Sequence, residues 1–209
     1  MATSEADICN KALAKIGIRG AFVADMRNDD SEEAEVCAVL YDDLRDACLA
    51  AFPWPFATLR RVLARIDAAV EPARDGWAFV YAMPTGCLQP RKMWPAGQGE
   101  RSLRSDQRIP FAIEKALAGD DQVILCDLET PVLFYTARVE DVTKFTPLFV
   151  DAFAYLLGAE IAPSLTSKAS IEQSARQRYF LKISEAQAAS LNSQQEDVAP
   201  EPEALAARL

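Results

Sequence analysis

The sequence predicts an α+β fold in which helices from the two ends of the chain form an antiparallel bundle and an antiparallel β section is inserted between them. Apolar residues recur every three or four positions near both ends, whereas the middle has strand composition and many turn residues. Helices near both ends most simply pack on each other. The prediction is one domain, 1–193, with helices at 4–16, 31–52, 147–162 and 167–192, a β section at about 76–140, and an extended arm at 194–209.

The first two helices have clear boundary signals. Ser4 is suited to cap the first helix, and Gly17 is placed to end it. The second helix, 31–52, has its apolar residues on one face and its aspartates on the other. Pro53 forces this helix to end, because the proline ring blocks a further turn. A Pro-Trp-Pro-Phe corner with two bulky aromatic side chains follows directly.

The stretch 56–66 is ambiguous between a short helix and a strand. It carries an arginine cluster, for which the interpretations are a solvated surface or a site for an acidic partner. Composition then predicts about four strands within 77–139, the last three separated by turn residues. Thr146 and Pro147 are a start signal for the third helix, and Pro163 is predicted to stop it. The strands after the first are predicted at 109–117, 122–126 and 132–139.

Charge and residue types restrict the chemistry. The chain has 22 Lys and Arg against 31 Asp and Glu, a net charge of −9, which argues against tight sequence-independent binding of nucleic acid. Without histidine it cannot build a Ser-His-Asp triad or an HExxH zinc site. No catalytic, cofactor-binding or metal-binding residue is predicted. The remaining enzyme alternative is a cell-wall hydrolase that uses an acidic pair: Asp29 with Asp30, Asp42 with Asp43, or Asp120 with Asp121.

The cysteines and the N-terminus predict a soluble protein made in the cytoplasm. The five cysteines are an odd number without a CxxC pair, which indicates reduced structural thiols. The start of the sequence has no basic and hydrophobic regions of a signal peptide. No apolar run approaches the roughly 18 residues that a membrane span needs. No contact with a membrane is therefore expected.

Four stretches resemble the head-to-tail adaptor proteins of short-tailed phages, also called tail tubular protein A or head-completion adaptors. They are DICNKALAKIG (7–17), SEEAEVCAVLYDDLRDACLAAFPWPFATLRRVLA (31–64), GWAFVYAMPTGCLQPRKMW (76–94) and VLFYTARVEDVTKFTPLFVDAFAYLLGAEIAPSLT (132–166). The second matches a CxxxYxxxRDxxL helix that leads to PWxFA. The matching residues are Cys37, Tyr41, Arg45, Asp46, Leu49, Pro53, Trp54, Phe56, Ala57, Tyr81, Pro84, Cys87, Leu88, Tyr135, Arg138, Val139, Phe145, Pro147, Phe149 and Leu157.

The resemblance implies a structural virion protein at the head-tail junction, assembled in the host cytoplasm. It implies a dodecameric ring beneath the portal that extends the DNA channel, lets double-stranded DNA pass without specific binding, and presents a surface to a downstream tail or nozzle protein. A neck or tail-completion protein of a longer-tailed phage is the nearest alternative. The expected structural corner and subunit contacts are Tyr41, Arg45, Pro53, Trp54 and Phe56, and the expected portal-docking arm includes Gln194, Val198, Leu205 and Leu209.

Overall fold

A computed structural model describes residues 4–20, 22–97, 109–117 and 119–192. Over these residues the α+β prediction is confirmed, with four helices and two three-stranded antiparallel sheets. Short 3-10 turns lie at Pro55–Ala57 and Val142–Lys144. The helices are α1 (Glu5–Lys15), α2 (Glu32–Ala50), α3 (Pro147–Thr166) and α4 (Ala169–Asn192). The strands are β1 (Thr58–Val62), β2 (Phe79–Ala82), β3 (Cys87–Pro95), β4 (Ala112–Lys115), β5 (Gln122–Cys126) and β6 (Pro131–Ala137).

Helix α3 is the centre of the helical part, because α1, α2 and α4 all pack against it. The Thr146 hydroxyl caps its start by accepting a hydrogen bond from the Phe149 amide at 3.4 Å. Its two acidic residues are paired with neighbouring helices: Asp151 with Lys15 of α1 at 2.6 Å, and Glu160 with Arg176 of α4 at 3.0 Å. The rest of α3 is apolar on nearly every face, which is typical of a fully surrounded core helix.

The prediction that Pro163 stops this helix is wrong. Helix α3 continues to Thr166 and ends at Ser167, whose φ of 52° lies in the left-handed region. The proline ring lies on the exposed side of the last turn, so it removes one helical hydrogen bond without clashing with the core. The Thr166 hydroxyl donates to the Ala162 carbonyl at 2.7 Å, and Ala162 itself is buried. Leu165 of the same turn is partly buried against the helical core, which favours continuation of the helix past the proline.

The expectation that no segment has the length and apolar character of a membrane span is wrong for α3. Pro147–Thr166 passes that test on length and composition alone, and 67% of its apolar window is buried inside the structure. A core helix of a folded domain passes the same test. The burial of α3 against three other helices fits a core helix.

The close approach of α1 to α3 depends on Gly158. A Cβ atom added at this position would lie 3.1 Å from the Ala12 carbonyl oxygen and 3.2 Å from the Ile16 Cγ2 atom. Ala12 lies in α1 and Ile16 directly follows its last residue, and both are buried in the core. A larger residue therefore has to push the two helices apart.

We predict that Gly158→Leu lowers the free energy of unfolding by about 2 kcal/mol or more, because the side chain would overpack the helix contact. Chemical denaturation monitored by circular dichroism measures this change. Ser164→Leu, at an exposed position of the same helix, is the control and should change stability by less than about 0.5 kcal/mol. Equal stability of the two variants would show that α1 does not pack closely on α3.

The two sheets pack face to face. Strand order is β1-β6-β3 in one sheet and β2-β5-β4 in the other. Tyr81 and Ile124 of the second sheet lie in one buried cluster with Leu133 and Tyr135 of the first. The Tyr81 hydroxyl donates to the carbonyl oxygens of Leu128 and Glu129 at 2.6 and 2.8 Å, which satisfies its polar atom inside the structure.

The β section is larger than predicted. The ambiguous stretch 56–66 contains β1, which pairs with β6, while β5 has the predicted bounds 122–126. Strand β3 is not among the predicted strands, because its two prolines, Pro90 and Pro95, have the character of turn residues. Proline cannot donate to a neighbouring strand, but β3 lies at the edge of its sheet and has register shifts on both sides of Pro90. On the open side of an edge strand no neighbouring strand needs an amide donor, so proline is tolerated there.

The prediction that all cysteines are reduced thiols is also wrong. Cys9 of α1 and Cys37 of α2 are joined by a disulfide across a sequence separation of 28 residues. Both are fully buried, and the two helices place them side by side in the core. Spacing along the chain does not show this proximity. Cys48, Cys87 and Cys126 have free thiols.

We predict that a reductant lowers the stability of the oxidised protein by roughly 3 to 4 kcal/mol, because opening a loop of this length restores entropy to the unfolded chain. The measurement is the melting temperature with and without a phosphine reductant. The double variant Cys9→Ala/Cys37→Ala is the control and should not respond. Thiol titration of the denatured, unreduced protein should give three free thiols; five would contradict the disulfide.

Candidate functional site

The corner after α2 is held by Trp54. Its indole Nε1 donates to the Cys48 carbonyl at 3.1 Å, and its ring meets the Phe149 ring edge-on at 5.1 Å. The Thr58 hydroxyl donates to the Trp54 carbonyl at 2.6 Å, at the start of β1. Pro53 and Pro55 cannot continue the helix, so the chain turns here from the helical part into the first sheet.

The predicted corner residues divide into buried and partly exposed groups. Tyr41 and Trp54 are fully buried within the protomer, and Arg45 is 4% exposed. Only Pro53 and Phe56 of this set retain accessible surface. Contact of the corner with another subunit stays a prediction, and it would have to use these last two residues. The arm residues Gln194, Val198, Leu205 and Leu209 lie outside the described residues.

Arg45 is the centre of an ion-pair network. Its guanidinium contacts Asp42 at 2.8 Å and Asp46 at 2.9 Å on the same helix. Arg138, directly after β6, contacts the other oxygen of Asp46 at 2.7 Å. Arg27 contacts Asp42 at 3.1 Å and so connects the loop before α2 to the same network. The network therefore ties the helical part to the sheet that contains β6.

The pKa of Asp42 argues against its use as the general acid of a hydrolase that relies on an acidic pair. Hydrogen bonds from the Arg27 guanidinium are the largest influence and lower the pKa of Asp42, with further lowering by the charges of Arg27 and Arg45. A general acid needs a raised pKa so that it is protonated near neutral pH. Asp42 is instead ionised and acts as an ion-pair partner in this network.

We predict that Arg45→Ala lowers the free energy of unfolding by about 2 to 3 kcal/mol. The largest costs for breaking buried pairs do not apply in full, because Asp42 is 46% exposed. Lys144→Ala, which removes an exposed pair with Asp141 at 3.8 Å, is the control and should cost less than about 0.5 kcal/mol.

The Arg45 effect should depend on pH. Because its folded-state pKa is lowered, Asp42 contributes stability that is complete above its usual value of 3.8 and is lost as the pH falls below that value. Urea denaturation at neutral pH and below pH 3.8 measures this dependence. A difference between wild type and variant that grows on acidification would contradict the network.

A basic cleft lies between the corner, the outer face of the first sheet and the end of α4. We define the basic cleft as the space of about 660 Å³ lined by Pro53, Pro55, Thr58, Arg60, Arg91, Lys92, Phe134 and Leu191. Three of these described residues are cationic and none is acidic. Register places Arg60 and Lys92 opposite Phe134 on either side of β6, so all three lie on one face of the sheet.

Neighbouring groups hold the two arginines of the basic cleft in place. The Arg60 guanidinium lies 5.5 Å from the Phe134 ring centroid and 5.9 Å from that of Trp94. Arg91 donates to the Thr136 hydroxyl at 3.1 Å and to the Ala50 carbonyl at 2.5 Å. Burial lowers the pKa of Arg91. Arg60 thus presents a positive charge that is oriented by the rings beneath it.

The sequence revealed only part of this cleft. The structure separates the arginine cluster of 56–66: Arg60 faces the cleft, whereas Arg65 lies over the Phe79 ring at 4.4 Å. The sequence prediction does not include Arg91 or Lys92. The signal that could have found them is alternation along a strand, which the interpretation of Pro90 as a turn residue concealed.

Apolar side chains remain exposed on α4 and on edge strand β1. On α4, Phe180 is 60% and Leu181 is 65% exposed, and Leu191 lies further along the helix. Edge strand β1 exposes Leu59 and Val62. Edge strands with apolar side chains readily pair with another chain, and clustered exposed apolar residues mark interaction surfaces. These surfaces are suited to contact with other protein.

Among the described residues, no group of three or more His, Cys, Asp or Glu side chains is placed to hold a metal ion. Comparisons of the sequence with protein-family models and with curated proteins found no match.

Proposed function

We propose that this chain is a structural virion protein, a head-to-tail adaptor of a short-tailed phage that assembles into a dodecameric ring beneath the portal. The proposal places it at the head-tail junction after assembly in the host cytoplasm. In that position it extends the DNA channel and attaches a downstream tail or nozzle protein.

The observation that carries the proposal is the uncovered apolar surface. Phe180 and Leu181 project from α4 into solvent. Only three residues of this helix are buried in the protomer. Edge strand β1 leaves its own apolar side chains exposed on a different part of the protomer. A closed ring needs two different surfaces on each subunit, one for each neighbour. A helix face and a sheet edge could supply them.

The resemblance to the adaptor family supports the same proposal in a different way. Many of its motif residues occupy the cores of the structure: Trp54 and Phe149 meet at the corner, and Tyr81 and Tyr135 lie between the sheets. A motif made of core residues indicates a shared fold more than a shared surface. In this proposal the terminal helices form an antiparallel bundle, and residues 194–209 form an arm that docks on the portal.

Passage of DNA is consistent with the charge of the chain. A channel lined by phosphate-binding side chains would grip DNA that has to move through it. A net charge of −9 fits a conduit that double-stranded DNA crosses without specific binding. A neck or tail-completion protein of a longer-tailed phage is the alternative, with the same building role and different partners.

We predict that the purified protein forms a dodecameric ring when mixed with its phage's portal, and that Phe180→Glu reduces the ring population by about tenfold or more at equal concentration. A buried aromatic side chain contributes strongly to an interface, and tenfold corresponds to about 1.4 kcal/mol. Mass photometry of the protein alone and with the portal measures both species.

Gln177→Glu is the matched control, because it adds the same charge at an exposed position of the same helix. Ring formation by this variant should equal that of wild type. A protein that does not associate with the portal at any salt concentration would overturn the adaptor proposal. Normal rings from Phe180→Glu would remove α4 from the subunit interface.

A further inference from the structure

The outer side of α2 presents an exposed apolar side chain between two carboxylates. Val39 is 71% exposed and points away from the buried residues of the helix. Glu35 and Asp43 lie four residues before and after it, so both are on the same side of the helix, and both are exposed. We call these three residues the α2 face. Such a surface suits a partner that presents an apolar side chain beside a cation.

Strand β1 presents this complementary pair. Leu59 is 50% exposed, and Arg61, two residues further along, is exposed on the same face of the strand. Among the described residues, neither Arg61 nor the two carboxylates of the α2 face have an ion-pair partner.

The spacing of the two surfaces also matches. Residues i and i+4 of a helix are about 6 Å apart along its axis, and residues i and i+2 of a strand are about 7 Å apart. A helix that lies along β1 therefore places Val39 on Leu59 and, at the same time, a carboxylate of the α2 face on Arg61.

The charges of the two surfaces disfavour contact between like surfaces. Two β1 strands that pair at their edges bring arginines of both copies together, and two α2 faces bring carboxylates together. Like charges across an interface are repulsive, whereas the α2 face and β1 attract each other. The two surfaces therefore fit a contact between different faces of two copies.

We propose that the α2 face of each copy receives strand β1 of the next copy, with Val39 on Leu59 and Arg61 paired to a carboxylate of that face. A contact between two different surfaces repeats from subunit to subunit, as a closed ring requires. The inference rests on the adaptor proposal and adds the α2 face to the α4 and β1 surfaces from which that proposal builds the ring.

The experiment joins the two surfaces by a disulfide. The helix variant, Val39→Cys, and the strand variant, Leu59→Cys, are mixed in equal amounts, assembled with the portal and oxidised with copper phenanthroline in air. We expect a disulfide-linked dimer in which mass spectrometry finds residue 39 joined to residue 59. Each variant alone should give only the wild-type background. Ser164→Cys, at an exposed position of α3, replaces the helix variant in the control mixture and should not be linked.

Charge reversal tests whether complementary charge holds the contact. Arg61→Glu in the strand variant should lower the yield of the link by about threefold or more, because a carboxylate then faces carboxylates. Adding Glu35→Arg and Asp43→Arg to the helix variant should restore the yield. Arg19→Glu in the strand variant makes the same charge change at an exposed residue of the loop after α1, and this matched control should leave the yield unchanged.

The outcomes separate this inference from the adaptor proposal. If wild type forms rings but the mixed variants give no link above the Ser164→Cys control, the inference is wrong and the adaptor proposal stands. A dimer from either variant alone would assign its surface to a two-fold contact and would also overturn the inference, as would equal yields with and without Arg61→Glu. Absence of rings from wild type with the portal would overturn both.

Discussion

Burial of α3 on almost every side is the constraint on which the rest of the structure depends. A helix this apolar must be surrounded, and α1, α2 and α4 each cover part of it. Its charged residues, Asp151 and Glu160, are placed where they pair with Lys15 and Arg176 on two of the covering helices. Gly158 lets α1 come close enough to complete the cover. The packing of the other three helices around α3 meets this requirement.

The helical and β parts are joined by two different kinds of contact. Trp54 anchors the corner through its ring and indole nitrogen, so the direction in which β1 leaves the helical part is set by a buried aromatic residue. Asp46 and Arg138 connect α2 to the end of β6 through an ion pair at 2.7 Å. One contact is therefore buried aromatic packing, and the other is an ion pair.

The surfaces that the core leaves exposed are the candidate functional sites. Ala175, Ile183 and Ala186 of α4 are buried in the helical core, and Ile171 and Tyr179 are partly buried against it, which leaves Phe180 and Leu181 exposed. The same geometry brings the end of α4 to the outer face of the first sheet, where Arg60 and its neighbours form the basic cleft. An exposed apolar helix face and the basic cleft thus both depend on the position of one helix.

The sequence by itself determined the four helices, the α+β class and β5, because caps, apolar periodicity and turn residues act within a few positions of each other. It could not determine features that depend on distant residues. Pro163 and the prolines of β3 are typical stop signals. Helix α3 tolerates Pro163 because its ring is exposed, and β3 tolerates its prolines because this strand lies at the edge of its sheet. Cys9 and Cys37 meet, and Arg91 and Lys92 join Arg60 in one cleft, only because tertiary packing places separate segments side by side.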